Sequence, residues 1–184
     1  MTTIRTARLV LRPPISADAQ RIVDFVSDFD IARMLARVPH PYDVADALWW
    51  IGTQATPEGR SHEEVLIASL DGELIGACSH MFRAHTASSE VGYWVGKPYW
   101  GRGYATEMTA ALLHFGFSER GLQTTTVSHM TDNPASAAVI AKLGFRPTGR
   151  RVIECVARGA EVDVLTYALA RAEALTQPWF GVTK

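Results

Sequence analysis

The sequence predicts an α/β (α+β) domain built on a mixed β-sheet, and three observations predict it. In the first third, apolar residues recur at helical spacing, with Ala19, Ile22, Val23 and Val26 three and four apart. The middle switches to short apolar runs joined by Asp71-Gly72, a pair suited to a type I′ hairpin turn, whose two central residues need positive φ. From Glu90 onward the order becomes strand, Gly-rich turn, helix, strand, helix and a closing hairpin.

Each element has its own signal. Leu9, Val10 and Leu11 form a short strand that Pro13-Pro14 ends, and Ser16 is placed to cap the first helix. A second helical stretch follows Asp30, and a third follows Asp43, with Val44, Ala47, Leu48 and Ile51 on one buried stripe. Trp49 and Trp50 point about 100° apart around that helix, so both cannot face the core. Helix-edge packing is expected for one of them, ahead of a place in a cleft wall. Pro57 to Glu63 reads as a loop. Strands follow over Val65 to Leu70, Glu73 to Met81 and Glu90 to Gly96. The helix after the Gly-rich turn carries Met108, Ala111, Leu112 and Phe115 at i, i+3, i+4 and i+7. Gln123 to Met130 is the next strand. Asn133 then caps a helix with Pro134 at its first position, an apolar side of Ala135, Ala138, Val139 and Leu143, and Gly144 at its end. The final hairpin is Arg151 to Arg158, a turn at Gly159, and Glu161 to Ala170.

Composition removes several roles. At 47% apolar and 20% charged, the chain is neither too polar to collapse nor apolar enough for a membrane protein. Its longest apolar stretch, Ala47 to Ile51, is far below the roughly 18 residues that span a bilayer. Arg5, Arg8 and Arg12 interrupt any signal-peptide core. One domain over residues 1–184 is expected, soluble and cytoplasmic, with no membrane partner. Cys78 and Cys155 lack partners at metal-ligand spacing and are too few for a disulfide framework, so strand thiols and no metal are expected. A net charge of -1 argues against a nucleic-acid partner. The halves differ: residues 1–92 carry 8 basic and 12 acidic side chains, residues 93–184 carry 10 and 7. An anionic ligand is expected in the second half.

The most informative stretch runs from Val91 to Glu107, where a strand leads through Tyr99-Trp100-Gly101-Arg102-Gly103-Tyr104-Ala105 into an amphipathic helix. Glycines let a backbone approach a ligand, and the first N–H groups of a helix are unpaired donors at its positive end. Together they suit a di- or polyphosphate, and Arg102 adds a charge. A tight strand-to-helix connection with no ligand remains the plain alternative. A dinucleotide fingerprint fails, because Thr106 and Glu107 replace its third small residue and the next strand ends in Ser128-His129-Met130 without an acidic residue. A Walker A loop fails for want of Gly-Lys-Ser/Thr.

Glu90 to Gly96, the run Tyr99 to Glu107, Asn133-x-x-Ser136 and Lys142-Leu143-Gly144-Phe145 together resemble the GNAT N-acetyltransferases. Within them the chain is similar to the branch typified by the RimJ and RimL ribosomal-protein N-terminal acetyltransferases. Thr6-Ala7-Arg8-Leu9-Val10-Leu11-Arg12 and the closing hairpin with Asp163 and Tyr167 match that branch too. The resemblance implies a GNAT fold, a mixed central sheet with a splayed strand pair and helices on both faces. It implies that Gly101, Arg102, Gly103, Tyr104, Ala105 and Thr106 cradle the pyrophosphate of acetyl-CoA. The main chain of a bulged strand at Trp94 and Val95 would meet the pantetheine arm, and Asn133 would be an N-cap and then a cofactor contact. Where many members begin the turn with Gln or Arg, this chain has Trp100, usual in the RimJ/RimL branch.

Acetyl transfer to an amine needs a neutral nucleophile, an outlet for its proton and an acid for the departing thiolate. The tyrosine acid of many members would fall on Ile140 and is excluded. The branch points instead to Ser136, whose plain reading is a first-turn helix residue. For the base the branch points to Glu154, with Glu90 second, acting through a water; His80 and His129 are less favoured. The implied acceptor is a primary amine, a small molecule or a protein N-terminus such as that of a ribosomal protein. A catalytically silent CoA-binding module and a nucleotide-dependent enzyme are the other classes, and monomer or homodimer stays open.

Overall fold

The computed structural model describes residues 2–181 of the chain. Among them one sheet starts with β1 (Ile4–Arg5), β2 (Val10–Arg12), β3 (Glu63–Leu70), β4 (Glu73–Phe82) and β5 (Ser88–Val95). It continues through β6 (Thr124–Met130) to β7 (Arg146–Cys155) and β8 (Ala160–Ala170), in the spatial order β6-β8-β7. All neighbours are antiparallel except β5 and β6, so the sheet is mixed. Asp71 and Gly72 join β3 to β4 at φ of 50° and 88°, as a type I′ turn requires.

The parallel pair shapes the molecule. β5 meets β6 only at Ser88, Ser89 and Glu90, opposite Thr124, Thr125 and Thr126. Beyond Glu90 and Thr126 the strands share no ladder, and a V opens between them. Along the opening the main chains of the two strands no longer pair with each other, and the Val95 carbonyl accepts a side-chain N–H from Trp100 instead. The register of β5 with β4 is unbroken from Ser89 to Val95, so the gap arises by splaying, without the bulge expected in this strand.

Helices α1 (Ala19–Val26), α2 (Phe29–Ala32) and α3 (Val44–Ala55) cover one face, packing Ile22, Phe25, Ile31, Ala47 and Ile51 on Ile67 and Ala77. Helices α5 (Tyr104–Ser118) and α6 (Pro134–Lys142) cover the other, with Met108, Leu112, Ile140 and Leu143 over Leu66, Cys78, Val91 and Val127. β3, sandwiched by both, is buried almost continuously.

Several local expectations change. Ser16 opens a 3-10 turn, and the capping falls to Asp18, whose carboxylate accepts the Ile15 N–H at 2.8 Å and pairs with Arg12 at 2.7 Å. α2 begins before Asp30, because Asp28 caps it by accepting the Asp30 N–H. Of the α3 stripe only Ala47 and Ile51 are buried, in the cluster with α1 and the sheet; Val44 and Leu48 lie outside that cluster and are exposed. Pro57–His62 is a short helix, α4, rather than a loop, with Thr56 accepting the Gly59 N–H and Pro57 in its first turn. Phe115 is half-buried, and Phe117 takes the core position instead. β7 starts five residues earlier than expected, Val156–Arg158 is a 3-10 turn, and a short α7 (Arg171–Ala174) follows β8.

Candidate active site

The Gly-rich turn sits where β5 delivers the chain to α5. Gly101 and Gly103 hold φ of 73° and 81°, and a Cβ at Gly101 would meet no heavy atom within 4 Å. The α5 N-terminus thus opens on free space beside two residues whose conformation favours glycine. Glu107 in the first turn would repel an anion, but it is turned away and neutralised. Its carboxylate accepts the Thr6 hydroxyl at 2.6 Å, the Arg8 N–H at 2.9 Å and Arg8 Nε at 2.7 Å. Burial opposes ionisation of Glu107, yet these bonds prevail and hold it below the usual carboxylate range. Arg8 also donates to the Arg102 carbonyl at 3.0 Å and lies 4.4 Å over the Tyr104 ring. In the sequence this arginine carries no sign of a place at the site. Trp100 is a second brace: its indole N–H donates to the Val95 carbonyl at 2.6 Å, tying the turn to the splayed strand.

From this turn a cleft of about 1050 Å³ runs through the V to the opposite face of the sheet. That lies just above the range of roughly 300 to 1,000 Å³ for small-molecule sites. On the turn side it is lined by Val95, Gly101, Gly103, Tyr104, Ala105 and Thr106, joined by Asn133, Ser136 and the exposed Lys142 of α6. Trp94 lines it as well, while its ring packs 6.2 Å from Phe25 of α1. On the far side are Glu63, Glu90, Met34, Tyr42 and both Trp49 and Trp50. The expectation of helix-edge packing in place of a cleft wall is therefore corrected: Trp50 does both, and Trp49 stands 73% exposed at the cleft. The far end is closed where the β7–β8 turn docks on residues 33–36. Val156 N–H donates to the Ala36 carbonyl at 3.0 Å and Arg158 Nε to the Arg33 carbonyl at 2.7 Å.

Strand parity decides which candidates meet. Glu90 is paired with Met81, which is paired with Glu63, so all three share the α1–α3 face at the vertex of the V. Glu90 Oε1 accepts from Ser128 at 3.2 Å and Arg151 at 2.9 Å, and its Oε2 lies 3.8 Å from Arg83. Ser136 reaches the cleft from α6, its N–H held by the Asn133 side chain at 3.0 Å. Its hydroxyl lies 2.8 Å from the Tyr93 hydroxyl. Two candidates fall outside. Arg102 does not line the cleft, and its charge stands exposed beside the turn. Glu154 is exposed on the other face of β7, because Ile153 and Cys155 take the inward positions. The structure therefore does not bring Glu154 to the vertex. His80 is buried between β4 and α5, whereas His129 lines the cleft and bonds Tyr167 at 3.1 Å. Glu63, which sequence reading missed, is held by Ser79 at 2.8 Å and Arg37 at 3.1 Å. Its only signal was a charge at the head of an apolar strand.

The open glycines, the helix terminus and the parted strands suit a ligand with a phosphate end and a long arm, in a cleft open to both faces of the sheet. Together with the resemblance carried by the Gly-rich turn, these features define the class as a CoA-thioester-dependent acyltransferase. Comparison with known proteins gives the family. A model of the acetyltransferase (GNAT) domain matches residues 8–146, and the chain belongs to the GNAT acetyltransferase family. An N-acetyltransferase designated p20 from Bacillus licheniformis is 27% identical over 94% of this chain and 98% of its own length. Mycobacterium smegmatis RimJ, solved in complex with CoA-disulfide, superposes with a TM-score of 0.84 at 25% identity, over 97% of this chain and 91% of its own. RimL, the ribosomal L7/L12 α-N-protein acetyltransferase, solved with coenzyme A, shares the fold with a TM-score of 0.82 at 17% identity, covering 94% and 99%. The protein is an acetyl-CoA-dependent N-acetyltransferase, with acetyl-CoA supplying the acetyl group as a thioester.

Proposed function

We propose that residues 1–184 act as a single catalytic domain that acetylates a primary amine by direct attack. Glu90 takes up the amine's proton through a water, and Ser136 protonates the departing thiolate. One observation carries this reading: Glu90 lies on the α1–α3 face of the vertex, and Ser136 approaches from α6 on the other. A proton acceptor and a proton donor thus flank the gap from opposite sides, as acyl transfer between two substrates needs. The main chain at Trp94 and Val95 lies along the pantetheine path, and Gly101, Gly103, Tyr104, Ala105 and Thr106 hold the pyrophosphate, with Arg102 adding charge from outside. Asn133 serves as the cap that aims Ser136.

For the acceptor, the resemblance to RimJ and RimL favours a protein N-terminus, including that of a ribosomal protein, and hence a cytoplasmic setting. The test is a thiol-release assay with acetyl-CoA, comparing peptides bearing free Ser, Ala or Thr termini with small amines. With the best acceptor, Glu90→Gln should lower kcat by about 10²-fold while Glu154→Gln stays within about threefold of wild type. Equal loss in both, or loss only in Glu154→Gln, would remove the base role from Glu90.

A further inference from the structure

We propose that Tyr93 is a positioning residue that turns the Ser136 hydroxyl toward the departing sulfur, a role that rests on the reading of Ser136 as the acid. Tyr93 lies on β5 between Val91 and Val95, with its ring against the α5–α6 core and its hydroxyl at the first turn of α6. The phenol has two contacts, both with Ser136: 2.8 Å to Oγ and 3.3 Å to the main-chain carbonyl. A phenol has one proton, so two arrangements are possible. Tyr93 and Ser136 both line the cleft. In the first arrangement, Ser136 donates to the Tyr93 oxygen and Tyr93 donates to the carbonyl, so the serine proton is engaged by Tyr93. In the second, Tyr93 donates to Ser136 Oγ over the shorter distance, and the serine proton is free for another acceptor in the cleft.

Sulfur that gathers negative charge favours the second arrangement, because a charge-assisted bond from Ser136 replaces a long neutral one. The balance is complete without another reactant. As the N–C bond forms and the C–S bond breaks, the electron pair goes to sulfur, and Ser136 gives sulfur its proton. Tyr93 steadies the serine oxygen by hydrogen bonding and stays a phenol. The proton that Glu90 takes from the acceptor nitrogen through water is then returned by water to Ser136, so both groups end the cycle in their starting forms. Burial pushes the Tyr93 phenol up to about 12, against the opposing effect of its bond to Ser136, so it keeps its proton at working pH. Without Tyr93, the serine rotor loses the partner that selects its direction.

The experiment measures thiol release at saturating amine for Tyr93→Phe, Ser136→Ala and the double variant, with CoA affinity measured by calorimetry. Tyr93→Phe should lower kcat by about tenfold and change the KM for acetyl-CoA by less than about threefold. In the Ser136→Ala background the same change should have no further effect, since nothing is left to aim. Replacement of Tyr93 by 3-fluorotyrosine keeps ring and hydroxyl and should retain kcat, whereas a loss equal to that of Phe would assign the effect to packing and overturn the proposal. Full kcat in Tyr93→Phe, or losses that multiply in the double variant, would also overturn it. Full kcat in Ser136→Ala is a different result, which removes the acid reading itself.

Discussion

At the residue scale, local chemistry was readable where one side chain has one geometric duty. Asn133 could be read as a cap because Asn-Pro before a helical pattern leaves few other roles, and its Oδ1 accepts the Ser136 N–H. Glu154 could have been read better, since Ile153 and Cys155 already claim the inward parity of that strand. Glu90 was harder, because Ser-Ser-Glu-Val-Gly-Tyr-Trp-Val does not alternate. His80 shows a property invisible without contacts. It is fully buried, its Nε2–H donates to the Leu112 carbonyl at 3.0 Å, and its Nδ1 therefore accepts the Ser89 hydroxyl at 2.8 Å. Burial drives it down from 6.5 to about 4, although the Leu112 bond opposes this. Because the folded value lies below the unfolded one, the neutral imidazole stabilises the fold above pH 6.5, and that contribution fades as pH falls toward 4. Urea unfolding should show about 2 kcal/mol of stability lost between pH 7 and pH 5, a loss absent in His80→Asn. An equal slope in that variant would move the titration to another group.

At the scale of elements, the sequence spoke most clearly where propensity and periodicity agreed. The Asp71-Gly72 hairpin and the Asn133-Pro134 start of α6 are two such places. The apolar side expected of α6 is corrected: Ala135 and Ala138 are exposed, and Ile140 with Leu143 takes the core, because the larger apolar side chains turn to the sheet. α4 was lost because Pro-Glu-Gly-Arg-Ser-His has no apolar stripe, although Thr56-Pro57 is a helix-start signal. The α3 stripe was drawn too wide because periodicity shows which residues could be buried and says nothing about how much surface a neighbour covers. The N-terminal segment was the main surprise, since Thr6 and Arg8 clamp the first turn of α5 across about one hundred residues of chain. Arg8 touches Glu107, the Arg102 carbonyl and the Tyr104 ring, so it stiffens the Gly-rich turn from outside. Arg8→Ala should raise the KM for acetyl-CoA roughly three- to tenfold and leave kcat within about twofold. Steady-state kinetics against donor concentration checks this, and a fall in kcat alone would contradict it.

At the scale of the whole molecule, the mixed sheet with helices on both faces was legible, because strand and helix signals alternate through the second half. The splay was implied only by resemblance, since its cause lies in long-range pairing: three rungs join β5 to β6 before the strands part. The charge split of the sequence has a structural counterpart. The turn, with Arg102 beside it, and Lys142 of α6 all come from the basic second half, whereas Glu63, Glu90 and Asp46 on the far side of the cleft come from the acidic first half. In the proposed arrangement donor and acceptor meet at a boundary between the two halves, and that proposal depends on the donor entering at Gly101–Thr106. Calorimetric titration of acetyl-CoA into wild type and Gly103→Val tests this most directly. Gly103 holds φ of 81° at the N-cap of α5, so a β-branched side chain there is strained, and its Cβ would stand 3.5 Å from the Arg8 guanidinium that braces the turn. The account predicts one bound acetyl-CoA per wild-type chain and affinity weakened by about 100-fold or more in a variant that remains folded. Unchanged affinity in that variant would put the donor elsewhere and contradict the account.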